Sequence, residues 1–229
     1  MVRSPRVTLA GAVRNPRSLD LGVLIVATSA VCSAGFLMTR VGQLAALDQQ
    51  VRQLESFGVA ITDDTYKQLR DVVPYRPAIS AAVILIGWPI LWAVGARFLA
   101  AVGDRIAGLP RRSEEDRARR RAQVLTVVVH ASAIFALRAL IAAPVNYARE
   151  SLGGAMSLGG LMPALGDSTF PARLLGTVDL FVVWWLVLIA LGLSILYQTR
   201  TLPIARWLFG AYAGGAAALA LTQALRGGI

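Results

Sequence analysis

The sequence is poor in the residues on which most catalytic and metal sites depend. It contains one cysteine, Cys32, and one histidine, His130, among 229 residues. A single cysteine excludes a disulfide or a cysteine-based metal site within one chain. The Walker A glycine loop and the HExxH, CxxC and Gly-x-Ser-x-Gly patterns are also missing from the sequence, and these are common signatures of ATPases, metalloproteases and serine hydrolases. We therefore expect a protein that is not an enzyme and that uses no metal and no cofactor.

Apolar residues, in contrast, make up 56% of the chain, at a mean hydropathy of +0.60. Soluble domains average roughly 45–50% apolar residues. A helix needs roughly 20 mainly apolar residues to cross ~30 Å of hydrocarbon. Five stretches approach that length, at residues 21–38, 78–102, 122–143, 174–197 and 202–225. We predict an all-α integral membrane protein, a bundle of five transmembrane helices that forms one membrane domain over residues 1–229.

The net charge of +10 comes almost wholly from arginine, which supplies all but one of the 23 basic residues. In a soluble protein such a charge would indicate nucleic-acid binding. Here the arginines stand mainly at the ends of the apolar stretches, where they can meet anionic lipid headgroups. We expect lipids, including anionic headgroups, as partners, and no nucleic acid.

The distribution of charge predicts the orientation, because arginine and lysine are in excess on the cytoplasmic side of membrane proteins. The N-terminal segment and the loop between the second and third stretches are rich in arginine, whereas residues 39–77 and 144–173 carry balanced charges. This pattern predicts a cytoplasmic N-terminus and an outer C-terminus, with the first stretch retained as a helix and not cleaved as a signal peptide. The expected location is a bacterial inner (plasma) membrane.

The segment 39–77 has the pattern of two short helices outside the membrane. Leu44, Leu47, Val51 and Leu54 follow heptad-like spacing, and Thr62 is a suitable N-cap for a second helix. The apolar stripe either packs against its surroundings or docks a helix of another protein. The loop that follows the third stretch, Ser151–Pro171, is rich in glycine and methionine, and we expect it on the outer membrane surface or between helix ends.

Ionisable residues inside apolar stretches are costly and are candidates for function. With 1.5 Å of rise per residue, Arg138 lies roughly 24 Å from the inner end of the third stretch, and Asp179 roughly 7 Å below the outer end of the fourth. These depths nearly coincide, so we predict that Arg138 and Asp179 form an ion pair. The pair either locks two helices together or serves as a gate or polar binding site. Arg97 lies near the cytoplasmic end of the second stretch and can reach the interface.

His130 is the remaining ionisable residue within an apolar stretch, about a third of the way in from the cytoplasmic side. Three hydroxyl-bearing residues lie at comparable depth, namely Thr28, Ser29 and Tyr212. We expect one of these hydroxyls to satisfy the imidazole, and a proton relay is the functional alternative.

The last apolar stretch carries a face of small residues. Gly210 and Gly214 form a GxxxG pair, extended by alanines and Gly215. Such faces let helices approach closely. We expect this face to pack within the bundle. The alternative is dimerisation through this face, which would make the protein a homo-oligomer.

Several segments resemble the bacterial branch of the Yip1-domain membrane proteins. They are Leu9-Ala10-Gly11, Asn15-Pro16, His130-Ala131-Ser132, Pro144-Val145-Asn146-Tyr147, Asp179-Leu180-Phe181-Val182-Val183-Trp184-Trp185 and Gly192-Leu193. The Asp-Leu-Tyr-Gly-Pro signature of eukaryotic members is absent, and Asp179-Leu180-Phe181 matches it only in part. The resemblance implies a membrane protein of five helices with a cytosolic N-terminus and without known catalysis.

The sequence therefore supports two functional hypotheses. The first is an accessory or scaffold component of a membrane transport or envelope complex, which contacts a membrane or extracytoplasmic protein through its helices and loops. The alternative is a small permease, or a subunit of one, that uses Arg138, Asp179 and His130. The missing catalytic patterns and the stripe at residues 44–54 favour the first hypothesis.

Overall fold

The computed structural model describes residues 4–14, 17–56, 58–109, 113–152, 176 and 178–226. Within these ranges the chain is helical and forms no β-strand. The helices in chain order are α1 (Pro5–Arg14), α2 (Leu19–Met38), α3 (Arg40–Ser56), α4 (Asp63–Asp71), α5 (Arg76–Ile106), α6 (Glu114–Ala131), α7 (Ala133–Ala148), α8 (Leu180–Tyr197) and α9 (Thr201–Arg226). A 3₁₀ turn at Val73–Tyr75 joins α4 to α5.

Four helical segments are long and apolar enough to cross a membrane. They are Leu19–Met38, Asp63–Ile106, Glu114–Ala148 and Leu180–Tyr197. They confirm the prediction of an all-α chain and indicate a membrane protein. The fifth predicted span, 202–225, is helical within α9 but is not among these four, so the five-span arrangement and its orientation stay predictions.

Polar caps set the beginnings of α6 and α8. Ser113 caps α6 by accepting a hydrogen bond from the Asp116 backbone nitrogen, so α6 includes residues 114–121 ahead of the third predicted span. The fourth predicted span began at residue 174, but α8 begins at Leu180 because Asp179 caps it. The Asp179 carboxylate accepts two hydrogen bonds from backbone nitrogens in the first turn of α8. Residues 153–175, which include most of the glycine- and methionine-rich loop, lie outside the described ranges.

The interior of the bundle is built around α6 and α8. Val124, Val127 and Ile189 have no exposed surface, and one hydrophobic core joins them to residues of α2, α5 and α9. Half of the apolar stretch of α8 is buried, against 6% of the stretch that contains α5. Much of the outer surface of α5 is therefore apolar, a feature that is rare in soluble monomers and natural for a helix that faces lipid. Its exposed side chains include Val83, Leu85, Ile86, Ile90, Leu91 and Val94.

Two isolated glycines lie where helices approach closely. A Cβ added to Gly192 of α8 would come within 3.0 Å of a Val127 methyl group on α6. A Cβ added to Gly103 of α5 would likewise meet the ring of Tyr197. Small residues at such positions allow helix backbones to come together.

Candidate functional site

The predicted ion pair between Arg138 and Asp179 is present. The Arg138 Nη2 and Nε atoms lie 2.9 Å and 3.0 Å from Asp179 Oδ2. The Asp179 side chain is 19% exposed and that of Arg138 is 43% exposed. The pair joins α7 to the start of α8.

Asp179 also organises the first turn of α8, which the sequence did not reveal. Its Oδ1 atom accepts hydrogen bonds from the backbone nitrogens of Phe181 and Val182 at 2.8 Å and 3.4 Å. Its own backbone nitrogen donates to the Tyr212 hydroxyl oxygen of α9 at 3.2 Å. A carboxylate at the positive end of a helix is electrostatically favourable. Asp179 therefore links α7, α8 and α9. It lies directly before α8, whereas the sequence predicted a position inside the fourth span.

The expectation that a hydroxyl satisfies His130 is wrong. The imidazole Nδ1 lies 2.8 Å from the backbone carbonyl oxygen of Thr126, one turn earlier in α6. Of the expected partners, the Tyr212 hydroxyl accepts from Asp179 instead. The Ser29 hydroxyl is buried and has no hydrogen-bond partner among the described residues. Because His130 and Thr126 both lie in α6, this hydrogen bond is local and does not connect two helices. It therefore cannot carry a proton from one helix to another.

A second polar centre lies at Ser132, where α6 ends and α7 begins. Its hydroxyl is fully buried, accepts hydrogen bonds from the indole nitrogens of Trp92 at 3.0 Å and Trp185 at 3.2 Å, and donates to the Val128 carbonyl at 2.8 Å. The hydroxyl thus uses its donor and both acceptor sites. The ring of Phe135 lies 5.8 Å from that of Trp185 and adds an aromatic layer.

Sequence reasoning missed this centre, although a signal was present. Tryptophan in an apolar span carries an N–H group that needs an acceptor when it is buried. A serine at similar depth in a neighbouring span is the natural partner of such a group. The centre ties α5, α6 and α8 together through one hydroxyl.

The heptad-like stripe of α3 is divided between inside and outside. Leu47 is buried, Val51 and Leu54 are half-buried, and Leu44 is 58% exposed. The two predicted helices do form, and Thr62 caps the second by accepting from the Thr65 backbone nitrogen at 3.2 Å. The stripe is therefore mostly a packing surface, and only Leu44 presents a large exposed area.

The GxxxG pair of α9 does not pack against any described residue of the bundle. Gly210 and Gly214 are exposed, and no described atom lies within 4 Å of a Cβ added to either. The inward face of α9 is formed by Ile204, Leu208 and Ala216. Because residue 210 lies two positions beyond residue 208, its side of the helix points away from the core. Within the part of the chain that the structure describes, the expected packing of this pair inside the bundle is not observed.

A cavity of about 490 Å³ opens between α1, α6 and α8, at the far end of the bundle from Asp179. It is lined by Ala10, Val13, Arg14, Asp116, Arg119, Arg120, Gln123, Ile195, Leu196 and Gln198. None of the residues predicted from the sequence as site residues lines it.

Comparison with protein-family models, with curated proteins and with solved structures gave no match for this chain.

Proposed function

We propose that this chain is a non-enzymatic, multi-pass membrane protein similar to the Yip1-domain proteins, and that it acts as an accessory or scaffold component of a membrane transport or envelope complex. In this proposal the chain crosses a bacterial inner membrane five times, with a cytoplasmic N-terminus. Its contacts with partner proteins run through its helices and through the segment at residues 39–77.

The polar groups in the bundle support a structural role for its interior. Arg138 is paired with Asp179, His130 faces its own helix, and Ser132 holds two tryptophans. Each of these contacts fixes backbone or side chains in place. The chemistry of the interior is used for assembly of the bundle.

The observation that carries the proposal is the outward face of α9. Gly210 and Gly214 lie together on it with no described neighbour near them. Small residues are the preferred contact points between helices in lipid, because backbones can approach closely there. We therefore assign this face to an apolar helix of a partner membrane protein.

Affinity purification from native membranes in mild detergent tests this proposal. The test variant is Gly210→Leu with Gly214→Leu, which fills the outward face without entering the core. The matched control is Val83→Leu with Ile86→Leu on the exposed face of α5. We expect a specific membrane protein to co-purify with the wild type and with the control, and to be lost from the test variant.

A separate variant, Leu44→Ser, addresses the loop contact through the exposed member of the α3 stripe. Loss of the same partner from this variant extends the contact surface to residues 39–77. A partner that survives both changes contradicts the assigned surfaces, and recovery of the chain alone in every sample contradicts the scaffold role. Recovery of a second copy of the chain would identify the occupant of the α9 face as a homodimer.

The alternative function, a small permease or permease subunit, is favoured by the 43% exposure of the Arg138 side chain. It requires a water-filled path to Arg138, Asp179 and His130. Cysteines introduced beside Arg138, at Leu137 and Ile141, would then react with a membrane-impermeant thiol reagent in a chain whose Cys32 is replaced by serine. Protection of both positions removes the support for this alternative.

A further inference from the structure

The cavity between α1, α6 and α8 concentrates positive charge. Its lining includes the side chains of Arg14, Arg119 and Arg120, against the single carboxylate of Asp116. None of these three arginines forms an ion pair with a carboxylate in the part of the chain that the structure describes. The cavity therefore carries an excess of two positive charges in its lining, counted as three guanidinium groups less one carboxylate.

Arg120 is held in position before any ligand arrives. Its Nη1 atom donates to the backbone carbonyl of Leu196 at 3.2 Å, and its guanidinium carbon lies 5.0 Å from the centre of the Tyr197 ring. These contacts fix the side chain against the end of α8 and leave the other nitrogens available. A guanidinium group presents five N–H donors in a planar fork that suits phosphate oxygens.

Arg14 and Arg119 approach the same cavity from two different helices. Both side chains are exposed, Arg14 at the end of α1 and Arg119 in the first half of α6. α1 is firmly seated, because Leu9 has no exposed surface. A phosphate group between the three arginines would neutralise charge that the protein leaves uncompensated. Gln123 and Gln198 supply neutral amide donors on the rim.

The remaining wall of the cavity is apolar. Ala10 and Val13 of α1 and Ile195 and Leu196 of α8 form this part of the lining. The cavity lies at the C-terminal end of α8, a candidate membrane span, and in the proposed topology this end meets the cytoplasmic lipid headgroups. A ligand with a phosphate head and an apolar tail matches both halves of the lining, whereas free phosphate matches only the arginines.

We propose that this cavity binds the phosphate group of an anionic phospholipid. The site goes beyond the proposed scaffold function, because it needs no protein partner and lies far from the outward face of α9. The carboxylate of Asp116, which accepts a hydrogen bond from the Ser113 hydroxyl at 3.0 Å, disfavours the anion and limits its affinity.

Lipid titration of the purified full-length chain tests the site. The test variant is Arg14→Gln with Arg119→Gln. The matched control is Arg117→Gln with Arg121→Gln, which removes the same charge from α6 at positions that do not line the cavity. Each protein is titrated in detergent with phosphatidylglycerol, with phosphatidylcholine and with glycerol phosphate, and bound ligand is counted by native mass spectrometry.

We expect the wild type to bind phosphatidylglycerol in preference to phosphatidylcholine, and the test variant to lose about tenfold in affinity for phosphatidylglycerol. The control variant should stay within about twofold of the wild type, because neither of its arginines lines the cavity and Arg117 already pairs with Glu114 at 2.9 Å. Glycerol phosphate should bind much more weakly than the lipid.

Three results would overturn the proposal. An equal loss of affinity for phosphatidylglycerol in the control variant would show that surface charge in general attracts the lipid. Equal binding of phosphatidylglycerol and phosphatidylcholine would show that the site does not recognise the headgroup charge. Glycerol phosphate that binds as tightly as phosphatidylglycerol would identify a soluble phosphate compound as the ligand. The melting temperature of each variant without added lipid confirms that losses of binding do not arise from unfolding.

Discussion

The glycines of α9 and those of α5 and α8 all lie within long helices but have different surroundings. Gly103 and Gly192 stand alone in the sequence, and a Cβ at either would collide with a neighbouring helix. Gly210 and Gly214 form the recognisable GxxxG pair, and a Cβ at either would meet no described atom. The spacing of small residues indicates a capacity for close approach, whereas the location of the neighbouring helices decides whether that capacity is used inside the bundle.

This contrast separates an interior that is built for assembly from a face that is open for association. The interior holds the isolated glycines, the ion pair and the Ser132 centre. The outward face of α9 holds small residues in a row. Substitutions that introduce the same atoms in the two regions should therefore affect different properties.

The largest effect is expected for Gly192→Leu. The added side chain would be driven into Val127, and overpacking of a core costs about 1–3 kcal/mol, with more for larger groups. We expect most of the protein to be lost from the folded fraction in detergent, as measured by size-exclusion chromatography. The double variant Gly192→Ala with Val127→Ala shortens the neighbouring side chain and should recover folded protein. If it does not, the side chain added at residue 192 clashes with a group other than Val127.

A smaller loss, about 2 kcal/mol, is expected for Asp179→Ala, because the change removes the ion pair and a helix cap together. Asp179→Asn keeps an oxygen for the cap and should cost about half as much. The measurement is the free energy of unfolding in a denaturant titration. Equal stabilities of the two variants would show that the cap contributes nothing, and an unchanged stability in both would contradict a structural role for the pair.

Ser132→Ala should cost about 1 kcal/mol, since two buried indole N–H groups lose their acceptor. Ser29→Ala is the matched control, because the Ser29 hydroxyl is buried without a partner among the described residues. We expect this control to leave the melting temperature unchanged or to raise it. Tryptophan emission should shift in Ser132→Ala alone, and a shift in both variants would contradict the assigned hydrogen bonds.

The smallest effect on folding is expected for Gly210→Ala with Gly214→Ala. Alanine is the better helix former by up to about 1 kcal/mol per exposed position. The melting temperature of the purified chain should therefore hold or rise. A clear loss of stability would show that the outward face packs within the bundle after all, and would erase the contrast with Gly192.

The sequence predicted those features that depend on length and depth. The apolar stretches predicted helices, and the estimated depths of Arg138 and Asp179 predicted their pairing. The cap predicted at Thr62 also formed as expected. Each of these follows from spacing along one helix or from a shared position across the membrane.

Features that depend on the rotation of a helix about its axis were not predictable from spacing alone. His130 bonds to its own helix, Leu47 points inward while Leu44 points outward, and Gly210 faces away from the core. The rotation of a helix about its own axis depends on its contacts with all neighbouring helices. The spacing of apolar residues in one helix does not contain that information. In α9 the larger residues Ile204 and Leu208 took the inward face and left the glycines outside.

The most direct test of the account is photo-crosslinking in native membranes. A photoreactive benzoylphenylalanine is placed at residue 214, and in a second protein at residue 83 on the exposed surface of α5. The account predicts a discrete protein adduct from position 214 and only lipid adducts from position 83. Lipid adducts alone at both positions would contradict the claim that the outward face of α9 contacts a partner helix.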